Sequence, residues 1–196
     1  MLMTAENSFR HGAIARLRSR LPSRRAWLKT LHWTMVPLAV WFTLVQPNDV
    51  ASVGQWAIEL HSVLGLIFVS GALLWWADYM RRGLASRPGP KLPTWARRVH
   101  GILHRVMIWG LFGVALTGFG LGVTASRQLW AGGIVPIGVP LSLPKANDLI
   151  GIVHSVEFYL LSAIIVFHAG FHIWRHYRLR DNALRIMVPR FLYRYL

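Results

Sequence analysis

The sequence predicts an all-α membrane protein: a four-transmembrane-helix bundle with both termini in the cytoplasm. Three observations carry that expectation. The chain of 196 residues is 54% hydrophobic and only 15% charged, a balance that suits a lipid-embedded chain better than a soluble domain. Apolar windows at roughly 27–46, 58–80, 99–123 and 149–174 each reach the ~20 residues that a bilayer-crossing helix needs. The basic residues fall in alternate connections, which is the pattern that orients membrane helices.

Taken in order, residues 1–25 form a basic N-terminal extension holding Arg10, Arg16, Arg18, Arg20, Arg24 and Arg25. The Pro22-Ser23-Arg24-Arg25 break precedes the first apolar run, and no small-residue cleavage site follows it, so that run reads as a retained helix and not a signal peptide. Phe9, Ile14, Leu17 and Leu21 recur at helical spacing among the arginines, which suits either a surface amphipathic helix over 8–21 or a basic arm. Pro37 predicts a kink in the first span. Residues 46–56 carry no basic side chain, whereas the next connection holds Arg81, Arg82, Arg87, Lys91, Arg97 and Arg98. The 124–148 loop has only Arg127 and Lys145, and the 178–196 tail returns to Arg178, Arg180, Arg185, Arg190 and Arg194. Both termini and the 81–98 loop are therefore expected inside, with 26–177 as the membrane domain. Trp27, Trp56, Trp75, Trp76, Trp130 and Trp174 fall near span ends, where interfacial anchors belong. The net charge of +15 reads as topology determinants and lipid-headgroup contacts. Blocks of arginine between apolar runs are not a nucleic-acid interface.

The fourth window, within GIVHSVEFYLLSAIIVFHAGFHIWRHY, places histidines at 154, 168 and 172, although polar rings are costly in hydrocarbon. With this topology, His32 and His168 lie toward the cytoplasmic face, and His61 and His154 toward the other. Fourteen residues of helix separate His154 from His168 by roughly 21 Å and bring them within about 40° of one face. Each has a partner at matching depth, His61 for His154 and His32 for His168. Two layers of facing imidazoles make two axial sites, and a low-spin haem iron takes two such ligands inside an apolar bundle. The chain has no Cys, which excludes disulfides, thiolate zinc sites, iron–sulfur clusters and covalent c-type haem attachment. Gly65, one turn from His61, and Gly118 and Gly120 on the third helix are positions where a flat ring can approach backbone closely.

Hydrogen-bonded core histidines are the bland alternative for each ring taken singly, and four at paired depths speak against it. A zinc site needs its ligands in one tetrahedral cluster, whereas these four separate into layers. A proton relay lacks acids at mid-depth, because Glu59, Asp78 and Glu157 lie near span ends. Glu157, one turn from His154, is either an outer-site hydrogen-bond partner or a solvated end residue. His100, His104 and His172 gather toward the cytoplasm, and one of them could replace His168 or His32 as a ligand. His104 and His172 are candidates for a quinone site, where a carbonyl needs a hydrogen-bond donor near water; headgroup-level polar residues are the competing reading. His11 and His176 read as surface residues.

These residues carry a family resemblance. Leu31-His32-Trp33 on the first helix, His61-x-x-x-Gly65, His100-x-x-x-His104, Thr117-Gly118, the loop VPIGVPLSLPKANDLIGIVH and the tail HYRLRDNALRIM resemble the bacterial cytochrome b561 family. That group is related to the cytochrome b subunits of formate dehydrogenases and nickel–iron hydrogenases. The resemblance covers roughly residues 25–190. It implies a bundle enclosing two b-type haems in the bacterial inner membrane, linked to the quinone pool, with ligands from the first, second and fourth helices. That carries over to His32, His61, His154 and His168. One branch of the family oxidises periplasmic superoxide while reducing ubiquinone, and others anchor periplasmic dehydrogenases or small cytochromes. The long arginine-rich extension departs from the short stand-alone members. The expected function is accordingly a quinone-linked diheme cytochrome with a periplasmic donor. An electron-relay subunit of a larger complex and a haem-free assembly protein are its competitors.

Overall fold

The computed structural model of the chain describes residues 22–45 and 52–196. The expected surface helix over 8–21 and His11 lie outside the described residues. Four long helices dominate: α1 (Arg24–Leu44), α2 (Gln55–Arg82), α3 (Thr94–Thr124) and α4 (Pro144–Arg178). Each begins or ends on a local signal. Ser23 caps α1, its hydroxyl oxygen accepting from the Ala26 N–H at 3.2 Å. Gly83 ends α2 with φ at 68°, a conformation glycine adopts without strain. Pro93 precedes α3, and Pro144 stands at the start of α4, where its missing N–H costs nothing. Pro37 sits inside a continuous α1.

Three of the helices, α2, α3 and α4, are long and apolar enough to cross a membrane. Helix α1 is not among them, because Arg24, Arg25 and Lys29 occupy its first turns and His32 and three threonines dilute the rest. The outward faces are greasy. Leu116 is 60% exposed, Leu160 61% and Val166 72%, a surface that needs lipid and not water around it. Three such helices with this surface make a multi-pass membrane protein.

The helices close a ring, α1 packing on α2, α2 on α3, α3 on α4, and α4 back on α1. The central core comprises Met35, Ala39, Phe68 and Ala72, with Phe42, Leu111 and Phe158 packed against it. Phe42, Phe68 and Phe158 meet edge-on with centroids 5.8 to 6.4 Å apart. A second core of Leu92, Ala96, Leu103 and Phe171 lies where α3 begins and α4 ends. Small residues let α3 and α4 approach. A Cβ on Gly110 would stand 3.1 Å from Leu161, and one on Gly113 3.3 Å from Glu157.

The two ends of the bundle differ. Between α3 and α4 a short antiparallel hairpin pairs β1 (Trp130–Ala131) with β2 (Val135–Pro136). Its turn uses Gly132 and Gly133 at φ of 63° and 70°, left-handed values that favour glycine. This hairpin is an addition to the expected all-helical chain. At the other end the tail doubles back. A short helix α5 (Ala183–Met187) packs on α4, followed by a 3-10 turn at Arg190–Tyr195. The Trp33 indole donates to the Met187 carbonyl at 2.6 Å, and Lys91 donates to that of Arg180 at 2.9 Å. His176 is therefore not a surface residue as expected. It is 9% exposed, because the tail folds over the end of α4 instead of leaving it.

Candidate functional site

At the hairpin end, His61 on α2 and His154 on α4 lie close enough to feel one another's charge. The Phe42 ring meets His61 edge-on at 4.9 Å. His154 is held from behind. Its Nδ1 is 2.9 Å from the Thr117 hydroxyl, which is also 2.9 Å from Oε2 of Glu157. Thr117 has one hydrogen, and the carboxylate is the strongest acceptor in reach. Thr117 then accepts from the His154 Nδ1–H, so the lone pair of His154 sits on Nε2. A Cβ on Gly118 would come within 3.2 Å of the His154 ring. The ring that glycine admits is thus His154 itself. Glu157 resolves as a partner of this site, half-buried and hydrogen-bonded.

The arginine-rich end gathers five imidazoles. His168 lies with ring centroids 4.5 Å from His172 and 4.9 Å from His104, and His100 lies 4.2 Å from His104. His32, on α1, is within electrostatic range of His168 and His104 and touches Trp33 and Trp75 edge-on. Behind the cluster, Arg175 is 1% exposed and pairs with Asp181 through Nε at 2.9 Å and Nη2 at 2.7 Å. Gly89 leaves room for that pair, since a Cβ there would stand 2.9 Å from the guanidinium.

His32 and His168, and His61 and His154, lie within electrostatic range of one another across helices. The division of the inner histidines into ligand and quinone groups is less clean, because His104, His168 and His172 share one cluster. Sequence reasoning missed Thr117 as a partner of His154, Ser86 as a partner of His100 at 3.0 Å, and the Arg175–Asp181 pair. Thr117 carried one signal: it lies a turn beyond Gly113 on the small-residue face of α3.

The donor set suits haem. Among the described residues nothing hydrogen-bonds a ring nitrogen of His32, His61 or His168, and the Nδ1 atoms of all three are buried. Unpartnered imidazoles in an apolar interior are costly unless a ligand takes them up. His154 has one nitrogen fixed and the other free, as an oriented axial ligand requires. No curated protein and no solved structure matches the chain. The family model for prokaryotic cytochrome b561, however, matches residues 23–190. The match spans all four long helices, and the chain belongs to the prokaryotic cytochrome b561 family of membrane b-type electron-transfer cytochromes.

Proposed function

We propose that this protein is a diheme cytochrome b of the bacterial inner membrane that transfers electrons between a periplasmic donor and the quinone pool. All four helices span, with both termini cytoplasmic. Helix α1 packs on α2 and α4, which favours its crossing with them, and the arginine distribution sets the orientation. Residues 1–25 form the cytoplasmic extension, 26–177 the membrane domain and 178–196 the cytoplasmic tail. His32 and His168 hold the cytoplasmic-side haem b, and His61 and His154 the periplasmic-side one. The observation that carries this reading is the pair of imidazole sets at opposite ends of one closed bundle, joined through α4 over roughly 21 Å.

Haem b, when bound, supplies one-electron redox chemistry at each end. The protein supplies the rest. Thr117 and Glu157 fix the tautomer and angle of His154. The Phe42, Phe68 and Phe158 rings fill the space between the two ends and exclude water. His104 spends its Nδ1–H on the His100 carbonyl at 2.7 Å, which leaves a basic Nε2 to accept and pass protons. His172 presents a buried Nε2 without a partner among the described residues, suited to donate to a quinone carbonyl. Arg127 and Lys145 are exposed at the hairpin end, where they would attract an anionic donor such as superoxide.

A second reading has an observation of its own. Ile134 is 79% exposed, Val139 75% and Leu141 57%, an apolar patch on the hairpin loop that a periplasmic dehydrogenase or c-type cytochrome would cover. In that case the chain is the electron-relay subunit of a complex. The reduced-minus-oxidised spectrum with haem quantification tests the core of both: two b haems per chain are expected, and one or none would overturn the diheme assignment. Reduction of a quinone analogue by the isolated protein supplied with superoxide separates the two readings. Turnover supports the stand-alone cytochrome, whereas inertness with both haems present, and a partner co-purifying in mild detergent, supports the relay subunit.

A further inference from the structure

We infer that His100, His104 and His172 form a binding site for a zinc-like divalent metal ion, separate from the imidazoles assigned to haem. One ligand nitrogen from each ring lies within 4.8 Å of the others. Two of the rings come from successive turns of α3 and the third from α4, so the site is built on rigid elements that the closest helix pair in the bundle holds together.

The hydrogen bonds around the rings leave a lone pair on each. A carbonyl only accepts, so His104 carries its proton on the Nδ1 that faces the His100 oxygen at 2.7 Å, and its Nε2 is unprotonated. The Nε2 of His100 meets the Ser86 hydroxyl at 3.0 Å, and its Nδ1 is buried without a partner among the described residues. The tautomer that donates to Ser86 puts the lone pair on that Nδ1. His172 has its Nε2 buried and unpartnered among the described residues; it ligates a metal as the Nδ1–H tautomer, whereas the Nε2–H tautomer is the one that donates to a quinone. Each ligand ring but His172 therefore has the outer hydrogen bond that metal-bound histidines use to fix tautomer and angle.

Three neutral imidazoles with no thiolate and no carboxylate suit a borderline divalent ion such as Zn²⁺, with water in the fourth position. A tetrahedral zinc ion about 2.1 Å from each nitrogen would hold the nitrogens about 3.4 Å apart, a closure of up to about 1.4 Å that small rotations of the three side chains supply. The nearest fixed cation is Arg175, whose charge Asp181 opposes at 2.7 Å. The site is thus not a bare positive pocket. The binding rests on these nitrogens and not on the quinone reading, although a metal here would occupy the same His104 and His172 nitrogens that a quinone would use.

The test uses the haem-loaded full chain, purified without a polyhistidine tag and stripped with a chelator, then titrated with Zn²⁺. One tight zinc per chain is expected by elemental analysis. His172→Ala should weaken that binding at least about 100-fold, and Ser86→Ala about 10- to 100-fold, the range for loss of an outer-shell partner. The haem spectrum of Ser86→Ala should stay that of the wild type, which separates loss of the metal site from loss of the haem sites. X-ray absorption on the zinc-loaded wild type should give a shell of three imidazole nitrogens at about 2.0–2.1 Å, a readout that needs no variant to fold. Zinc that binds equally tightly to His172→Ala, an oxygen-dominated shell, or no stoichiometric binding would overturn the site.

Discussion

The two ends of the bundle treat histidine in opposite ways. At the hairpin end there are two imidazoles on separate helices, and one is braced by the Thr117–Glu157 pair, with bonds of 2.9 Å on both sides. At the arginine-rich end, His32, His100, His104, His168 and His172 crowd together beside a buried ion pair, and four buried ring nitrogens of that group lack partners among the described residues. The first arrangement is built for one fixed ligand geometry. The second holds more imidazoles than a single axial pair uses, and it is where an exchangeable ligand, a proton or a second metal can be accommodated.

Substitutions can break that contrast, starting from the most severe. His154→Ala should abolish the hairpin-end haem while the other persists, and His168→Ala should do the reverse; the split is read from the reduced-minus-oxidised spectrum and haem content of each. If His168→Ala keeps both haems, then His104 or His172 has taken over as ligand, and the surplus at that end is functional redundancy. Arg175→Met should come next, destabilising the fold by about 3–5 kcal/mol because Asp181 is left buried and uncompensated, as measured by denaturant unfolding in detergent. Thr117→Val should weaken haem retention at the hairpin end about 10- to 100-fold and leave the other haem's spectrum and potential unchanged. An equal effect at both ends would show that Thr117 acts through the fold and not through His154. Arg24→Met should be smallest, below about 1 kcal/mol in the same unfolding measurement, since Arg24 is partly exposed and Asp78 keeps Arg82 at 3.8 Å.

How much of this was legible in the sequence follows from what each feature depends on. The helices were legible because apolar runs record hydrocarbon thickness, yet α2, α3 and α4 outrun their windows at both ends, whereas α1 starts early and stops at Leu44, short of 46. The window at 149–174 became Pro144–Arg178, and that at 99–123 became Thr94–Thr124, because helical hydrogen bonding continues into the headgroup region after hydropathy falls. The end of the bundle at which each histidine lies was legible because counting residues along a helix places a ring along its axis. Rotation about the helix axis is not fixed by counting. For that reason the proximity of His100 and His104 to His168 and His172 was open, and so was the fit of Thr117 behind His154. The buried His176 and the Arg175–Asp181 pair were the hardest to foresee. A tail with arginines at 175, 178, 180, 185, 190 and 194 reads as solvated, and nothing local announces that Asp181 turns back to meet a buried guanidinium.

That turn has a practical consequence for mapping which side of the membrane each end occupies. Reporter fusions placed after successive truncations assume that a segment once removed leaves the rest intact. A truncation after Leu179 would strip Asp181 from Arg175, whose side chain is 1% exposed, and would remove the carbonyl that receives the Trp33 indole. Reporters at that end therefore belong after Leu196 on the whole chain; a shortened chain would report on its own collapse.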